Sequence, residues 1–223
     1  MARHTRLDVL NTIVGTGLVP IFYHSDAAVA RRVIGATAVV GCPLFEFTNR
    51  GDFALDVFKE LALYCREALP DVILGAGSVV DAPTAALYAA YGAEFIVGPV
   101  FNKTVARFCN RRKLAYMPGC GTVSEISAAE ELGVEIVKVF PADSIGGPEF
   151  VKSVLGPCPW TRIMPTGGVA PTQAGLAAWF KAGVVAVGIG SKLMRKDLIA
   201  AGNYAAMSAQ TVEILGWIRQ VRG

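Results

Sequence analysis

Lys138 stands nearly alone among apolar residues, in the run Glu135-Ile136-Val137-Lys138-Val139-Phe140-Pro141. In an extended segment successive side chains alternate between faces, so Ile136, Lys138 and Phe140 share one face and Val137 and Val139 the other. With the valines turned toward a covering layer, the lysine points into the interior. Withdrawing an ammonium from water is costly, so desolvation lowers its proton affinity and enriches the free amine. Such an amine condenses with a ketone to give a Schiff base. The competing reading is a strand-end lysine that snorkels to solvent or pairs with a carboxylate.

A second run carries complementary groups. Phe45-Glu46-Phe47-Thr48-Asn49-Arg50 places Glu46, Thr48 and Arg50 opposite Phe45 and Phe47. The phenylalanines suit an apolar interface, which leaves the carboxylate and the guanidinium for the other side. Glu46 is then a candidate general acid/base, and Arg50 a candidate bidentate partner for a substrate carboxylate. A Glu46–Arg50 ion pair that satisfies only itself is the alternative. Two glycine-rich segments, Met164-Pro165-Thr166-Gly167-Gly168-Val169 and Gly188-Ile189-Gly190-Ser191, read as turns whose backbone N–H groups can approach an anion.

Eight short apolar or β-branched runs position these groups: 19–23, 44–48, 72–76, 95–97, 115–117, 136–140, 163–165 and 184–187. Spread over 223 residues they give about 28 residues per unit, the size of a strand, a helix and two loops. The intervening segments read as helices. Phe53, Val57, Leu61 and Cys65 recur every four residues, Ser124-Glu125 opens a helix that Gly133 stops, and Pro171-Thr172 opens another that ends at Gly183. Residues 7–14 and 203–221 read as leading and terminal helices, the latter carrying Trp217. Nearly continuous apolar strands alternating with helices indicate a parallel sheet covered on both faces. The expected fold is α/β, a single (β/α)8 barrel domain over residues 1–223 with an N-terminal and a C-terminal helix. A doubly wound open sheet is the alternative, and no G-x-G-x-x-G follows the first strand to support it. In a barrel, Lys138, Glu46 and both glycine turns belong to strand ends or the loops after them, where active sites and phosphate sites form.

The composition agrees with a packed domain: 53% of residues are hydrophobic and 17% charged. A net charge of +3 is too small to indicate nucleic acid, and the basic run Arg111-Arg112-Lys113 ends a predicted helix, where cations suit the dipole. The most apolar window, residues 82–101, is interrupted by Gly92, Glu94, Gly98 and Pro99, so no membrane span is expected. Five scattered cysteines without a C-x-x-C suggest reduced thiols in a cytoplasmic protein rather than a disulfide framework or zinc site. His4 falls in a leading segment expected to be disordered, and His24, after the first strand, has no partner at metal-ligand spacing.

From about Gly17 to Leu193 the chain resembles the 2-keto-3-deoxy-6-phosphogluconate (KDPG) aldolases, also called 2-keto-4-hydroxyglutarate (KHG) aldolases. The resemblance rests on E-x-T-x-R at Glu46–Arg50, the Gly75–Val79 turn, V-K-V-F-P-A at Val137–Ala142, P-T-G-G-V at Pro165–Val169 and G-x-G-S at Gly188–Ser191. It implies a class I aldolase in which Lys138 forms the imine and Glu46 moves protons around it. It further implies that Arg50 and Ser78 hold the pyruvyl carboxylate, and that Pro99 and Phe140 shape the imine pocket. Gly167, Gly168 and Ser191 would form a phosphate cradle; Thr166 and Gly190, in the same turns, complete the substrate-binding set. The resemblance implies a homotrimer that needs no metal or other cofactor. The chain departs from the family pattern at Ser78, Asn49, Cys120 and the Val97–Asn102 loop.

The expected substrate is therefore a small keto acid or phosphosugar acid, cleaved to pyruvate and an aldehyde such as glyceraldehyde 3-phosphate or glyoxylate. Two other functions fit parts of the pattern. A phosphosugar isomerase or epimerase would use Glu46 as base without an inward lysine, and a metabolite-binding relative would keep the anion cradle without turnover.

Overall fold

The computed structural model describes residues 3–223. Nine strands, each separated from the next by a helix except β5 from β6, run along the chain: β1 Leu18–Phe22, β2 Leu44–Thr48, β3 Ile73–Gly77, β4 Phe95–Val97, β5 Ala115–Met117, β6 Gly119–Cys120, β7 Val137–Val139, β8 Ile163–Pro165 and β9 Val187–Ile189. All ladders are parallel, in the orders β5-β4-β3-β2-β1-β9 and β6-β7-β8. Pro118 has no N–H to donate, and it divides one barrel position into β5, which pairs with β4, and β6, which pairs with β7. On the other side the bridge Thr166↔Gly188 and a bond from Val185 N–H to the Ile163 carbonyl (3.0 Å) join β8 to β9. The two sheets thus form one ring of eight positions, the expected (β/α)8 barrel.

The helices are α1 Arg6–Thr16, α2 Ala27–Ala38, α3 Ala54–Ala68, α4 Ala82–Ala90, α5 Lys103–Arg112, α6 Val123–Glu131, α7 Gly147–Leu155, α8 Gln173–Lys181, α9 Lys196–Ala200 and α10 Tyr204–Arg222. Among the described residues no helix is long and apolar enough to cross a membrane. Side chains that cap the orphan N–H groups explain several starts. Thr122 caps α6 in a reciprocal box with Glu125, so the start lies two residues before Ser124-Glu125, and Thr172 caps α8. Phe53 does not belong to the buried stripe of α3. It sits before the helix at φ 61 and is exposed, while Ala54, Val57, Phe58, Leu61 and Cys65 face the core.

Two apolar layers follow from strand alternation. Val19, Leu44, Ile73, Phe95, Ile136, Met164 and Ala186 fill the barrel interior, where Val9, Leu10 and Ile13 of α1 join them and plug one end. The Val, Leu, Ile, Phe and Met side chains among them each contribute about 1.5–3 kcal/mol on full burial. Phe45, Phe47, Val137 and Val139 belong to the outer layer between strands and helices. Trp217 packs against that layer from α10, and Cys120 lies within it. Asn49 also faces outward, accepting the Tyr88 hydroxyl at 2.9 Å.

The last strand begins later than its apolar run suggests. Pairing with β1 starts at Leu18↔Val187, so Gly188 and Ile189 are strand residues rather than a turn. Gly188 is needed because a Cβ there would lie 2.4 Å from Thr166 Oγ1. His4 is likewise ordered. Its ring Nδ1 lies 2.6 Å and its backbone N–H 3.0 Å from Glu94 Oε2, while Arg3 Nη2 donates to Glu94 Oε1 at 2.9 Å. Glu94 is buried, and this clamp ties the start of the described chain to the segment entering β4. Glu94→Gln should therefore lower unfolding stability by about 1–3 kcal/mol in urea titration; a loss within about 0.5 kcal/mol, the range of ordinary surface changes, would show that the clamp is not load-carrying.

Candidate active site

Leu44 and Ile136 lie in the barrel interior, so Glu46 and Lys138, two residues farther along β2 and β7, point the same way. Both are almost completely buried, at 1% and 5% exposure. Backbone pairing fixes their strands, with Glu46 opposite Ile21 and Gly75, and Lys138 opposite Gly119 and Met164. Space for the carboxylate comes from β3, where a Cβ on Gly77 would lie 1.9 Å from Glu46 Oε1. Lys138 Nζ sits 4.8 Å from the centre of the Phe140 ring, close enough for the π face to attract the ammonium.

The electrostatics oppose charge on both groups. Burial holds the Lys138 ammonium below its ordinary value, with Arg50 adding to the fall and Glu46 opposing it. Burial raises the Glu46 carboxyl, against the pull of Lys138 and Arg50. Desolvation thus outweighs the mutual attraction, and each group is shifted in the direction of its neutral form. Glu46 Oε2 is buried without a hydrogen-bond partner. Arg50 is exposed and turns its Nε to Ser78 Oγ at 3.4 Å. A self-satisfied Glu46–Arg50 pair is not what forms. Ser78 adopts a left-handed backbone (φ 58), sparsely populated by residues with a side chain, which presents its hydroxyl to Arg50.

A cavity of about 650 Å³ opens over β1, β8 and β9. Arg50, Phe140, Thr166, Gly167, Gly168, Gly190 and Ser191 line it, so most of the expected substrate-binding residues meet there. Glu46, Lys138, Ser78 and Pro99 are outside its lining; Phe140 is the side chain shared between the cavity and Lys138. Gly167 and Gly168 have φ of 88° and 86°, a conformation that strongly favours glycine, and Ala142 and Asp143 N–H groups fix the turn by bonding the Thr166 and Gly167 carbonyls. Thr166 Oγ1 is buried and unpartnered.

The same cavity holds His24, Lys192 and Lys196, which the sequence patterns did not select. Lys192 Nζ donates to the Gly168 carbonyl at 2.7 Å. Two lysines four residues apart, directly after a glycine segment, were the available signal. Among the described residues no group of three or more His, Cys, Asp or Glu side chains is arranged to hold a metal ion.

Residues 9–210 match the model of the KDPG and KHG aldolase family. The chain belongs to that family. Among its curated relatives, the 2-dehydro-3-deoxy-phosphogluconate aldolase of Treponema pallidum is 35% identical over 72% of this chain and 77% of its own. The enzyme of that name from Haemophilus influenzae is 29% identical over 97% of this chain and 99% of its own. The solved 2-keto-3-deoxy-6-phosphogluconate aldolase of Zymomonas mobilis superposes with a TM-score of 0.81 at 25% identity, covering 94% of this chain and 97% of that one. The eight-position barrel and the family membership of the sequence therefore agree.

The electrostatic arrangement sets a sign for the contribution of Arg50 to Lys138. Trace acylation followed by peptide mass spectrometry reads the amine's titration midpoint. Arg50→Gln removes a cation that lowers the lysine and should move the midpoint up in pH. A downward shift in Arg50→Gln would contradict the arrangement.

Proposed function

We propose that this chain is a class I aldolase that cleaves a 2-keto-3-deoxy acid, of the KDPG or KHG type, reversibly to pyruvate and an aldehyde. The supporting observation is a buried lysine, displaced toward its free amine, that faces a buried carboxyl within the barrel. Lys138 Nζ attacks the C2 ketone to give a carbinolamine. Glu46 protonates the carbinolamine hydroxyl, which leaves as water, so that an iminium ion stands beside a Glu46 carboxylate. That carboxylate takes the proton from the C4 hydroxyl as the C3–C4 bond breaks, and the bonding pair moves into the iminium to form an enamine. The aldehyde leaves, Glu46 returns its proton to C3, and water hydrolyses the imine to release pyruvate.

In this reading Arg50, held by Ser78, binds the pyruvyl carboxylate, and Pro99 and Phe140 bound the imine. Thr166, Gly167, Gly168, Gly190 and Ser191 take the anionic end of the aldehyde half. Imine chemistry of this kind needs neither a metal nor an organic cofactor. A homotrimer is supported by exposed Phe53, Val80 and Val100, which lie in the loops after β2, β3 and β4, three adjacent barrel positions. All five cysteines are free thiols, and burial pushes Cys42, Cys65, Cys109 and Cys120 up to about 12, which suits a reducing, cytoplasmic setting.

Borohydride reduction with pyruvate should leave a single adduct on Lys138, and Lys138→Ala should lower kcat/KM by about 10⁴-fold or more. Activity that survives the substitution would favour an isomerase or epimerase using Glu46 alone; ligand binding without turnover in the unaltered protein would favour a binding protein. For the assembly, sedimentation equilibrium should give three copies for the native chain and a smaller species for Phe53→Asp. A native monomer would refute the trimer.

A further inference from the structure

Ser78 and Pro99 lie outside the open cavity, in the loops after β3 and β4. A polar network around Tyr116, in the middle of β5, holds those loops. Ala115 and Met117 face the barrel interior, so alternation turns Tyr116 to the outer layer, where it is 2% exposed. Its hydroxyl accepts the Asn102 N–H and donates to the Val100 carbonyl, both at 3.3 Å. Burial pushes the phenol up, so it stays protonated and performs both roles at once. Tyr116 thus pins two residues of the Val97–Asn102 loop, a segment that departs from the family pattern.

Asn102 passes the constraint on. Its Oδ1 accepts the Thr104 and Val105 N–H groups at 2.8 and 3.2 Å, capping α5, while its Nδ2 donates to the Val80 carbonyl at 2.9 Å. Val80 is two residues from Ser78, and the Val79 N–H between them bonds the Val97 carbonyl at 3.1 Å. The fit leaves no room for side chains. A Cβ on Gly98 would lie 3.0 Å from the Val79 carbonyl oxygen and 3.2 Å from the Tyr116 hydroxyl. A Cβ on Gly119 would lie 2.1 Å from the Pro99 carbonyl oxygen, and Gly119 is the residue opposite Lys138 in the ladder. The network therefore begins at a buried phenol and reaches both Ser78, which meets Arg50, and Pro99, whose carbonyl packs on the strand beside Lys138.

We propose that Tyr116 and Asn102 are positioning residues: by tying the loops after β3 and β4 into one unit, they hold Ser78 and Arg50 in register with Lys138 to receive the substrate's carboxylate. This rests on the aldolase reading for the identity of the reaction. The ties can be removed one at a time. Tyr116→Phe loses only the hydroxyl, and Asn102→Asp keeps an acceptor for the cap of α5 while losing the donor to Val80.

With KDPG as substrate, each variant should raise KM about tenfold and leave kcat within about threefold. The pyruvate concentration that gives half-maximal borohydride trapping on Lys138 should rise by a similar factor. A fold that was merely weakened would instead reduce the number of active molecules, and with it kcat. In a Ser78→Ala background, Asn102→Asp should add less than about twofold, because the group it positions is already gone. Amide hydrogen exchange provides a readout independent of catalysis. In Tyr116→Phe the Val79 amide, whose own acceptor is the Val97 carbonyl, should exchange about tenfold faster than in the native chain. Unchanged Val79 exchange, full additivity with Ser78→Ala, or a loss confined to kcat would overturn the proposal. Failure of the native chain to trap pyruvate would remove the aldolase reading, and Val79 exchange would then decide whether the two loops form one unit.

Discussion

Two ionisable side chains are held inside a barrel where water cannot stabilise their charges, and much of the remaining architecture makes this tolerable. Lys138 and Glu46 attract one another, yet for each the loss of solvation is the larger effect. Such a pair adds little to stability, since the cost of burial offsets the attraction in a medium of low dielectric. In the proposed reaction a free amine and a carboxylic acid become an iminium and a carboxylate with no net change of charge in the interior, which avoids an unpaired buried ion.

The scaffold meets this constraint by position. The apolar barrel layer of Leu44, Ile136 and Met164, closed below by α1, supports the pair on one side. Gly77 leaves the volume that the Glu46 carboxylate occupies. Phe140 connects the buried lysine to the open cavity over β1, β8 and β9. Strands carry Lys138 and Glu46, and the loops after β8 and β9 line much of the cavity.

Much of this was legible in the residues. The runs 44–48, 95–97, 115–117 and 163–165 coincide with strands because each is a short stretch rich in apolar residues that is closed by Gly, Pro or a polar residue. The inward direction of Lys138 and Glu46 followed from alternation alone, since their neighbours Val137, Val139, Phe45 and Phe47 do face the helices. Alternation failed where a residue's role depends on a partner from elsewhere. Gly188 reads as a turn until Thr166 is seen to fill its side-chain space, and His4 reads as unstructured until Glu94 is brought to it. Phe53 fits the four-residue period of α3 but lies just outside the helix. His24, Lys192 and Lys196 converge only when β1, β8 and β9 close the ring, a relation between distant segments that no local spacing encodes.

The proposed protonation exchange between Lys138 and Glu46 is open to direct observation by infrared difference spectroscopy. On adding pyruvate, the account predicts loss of a protonated carboxyl band and gain of a carboxylate band, both absent from Glu46→Gln. A Glu46 that is already a carboxylate before pyruvate arrives, and stays one as the imine forms, would contradict it.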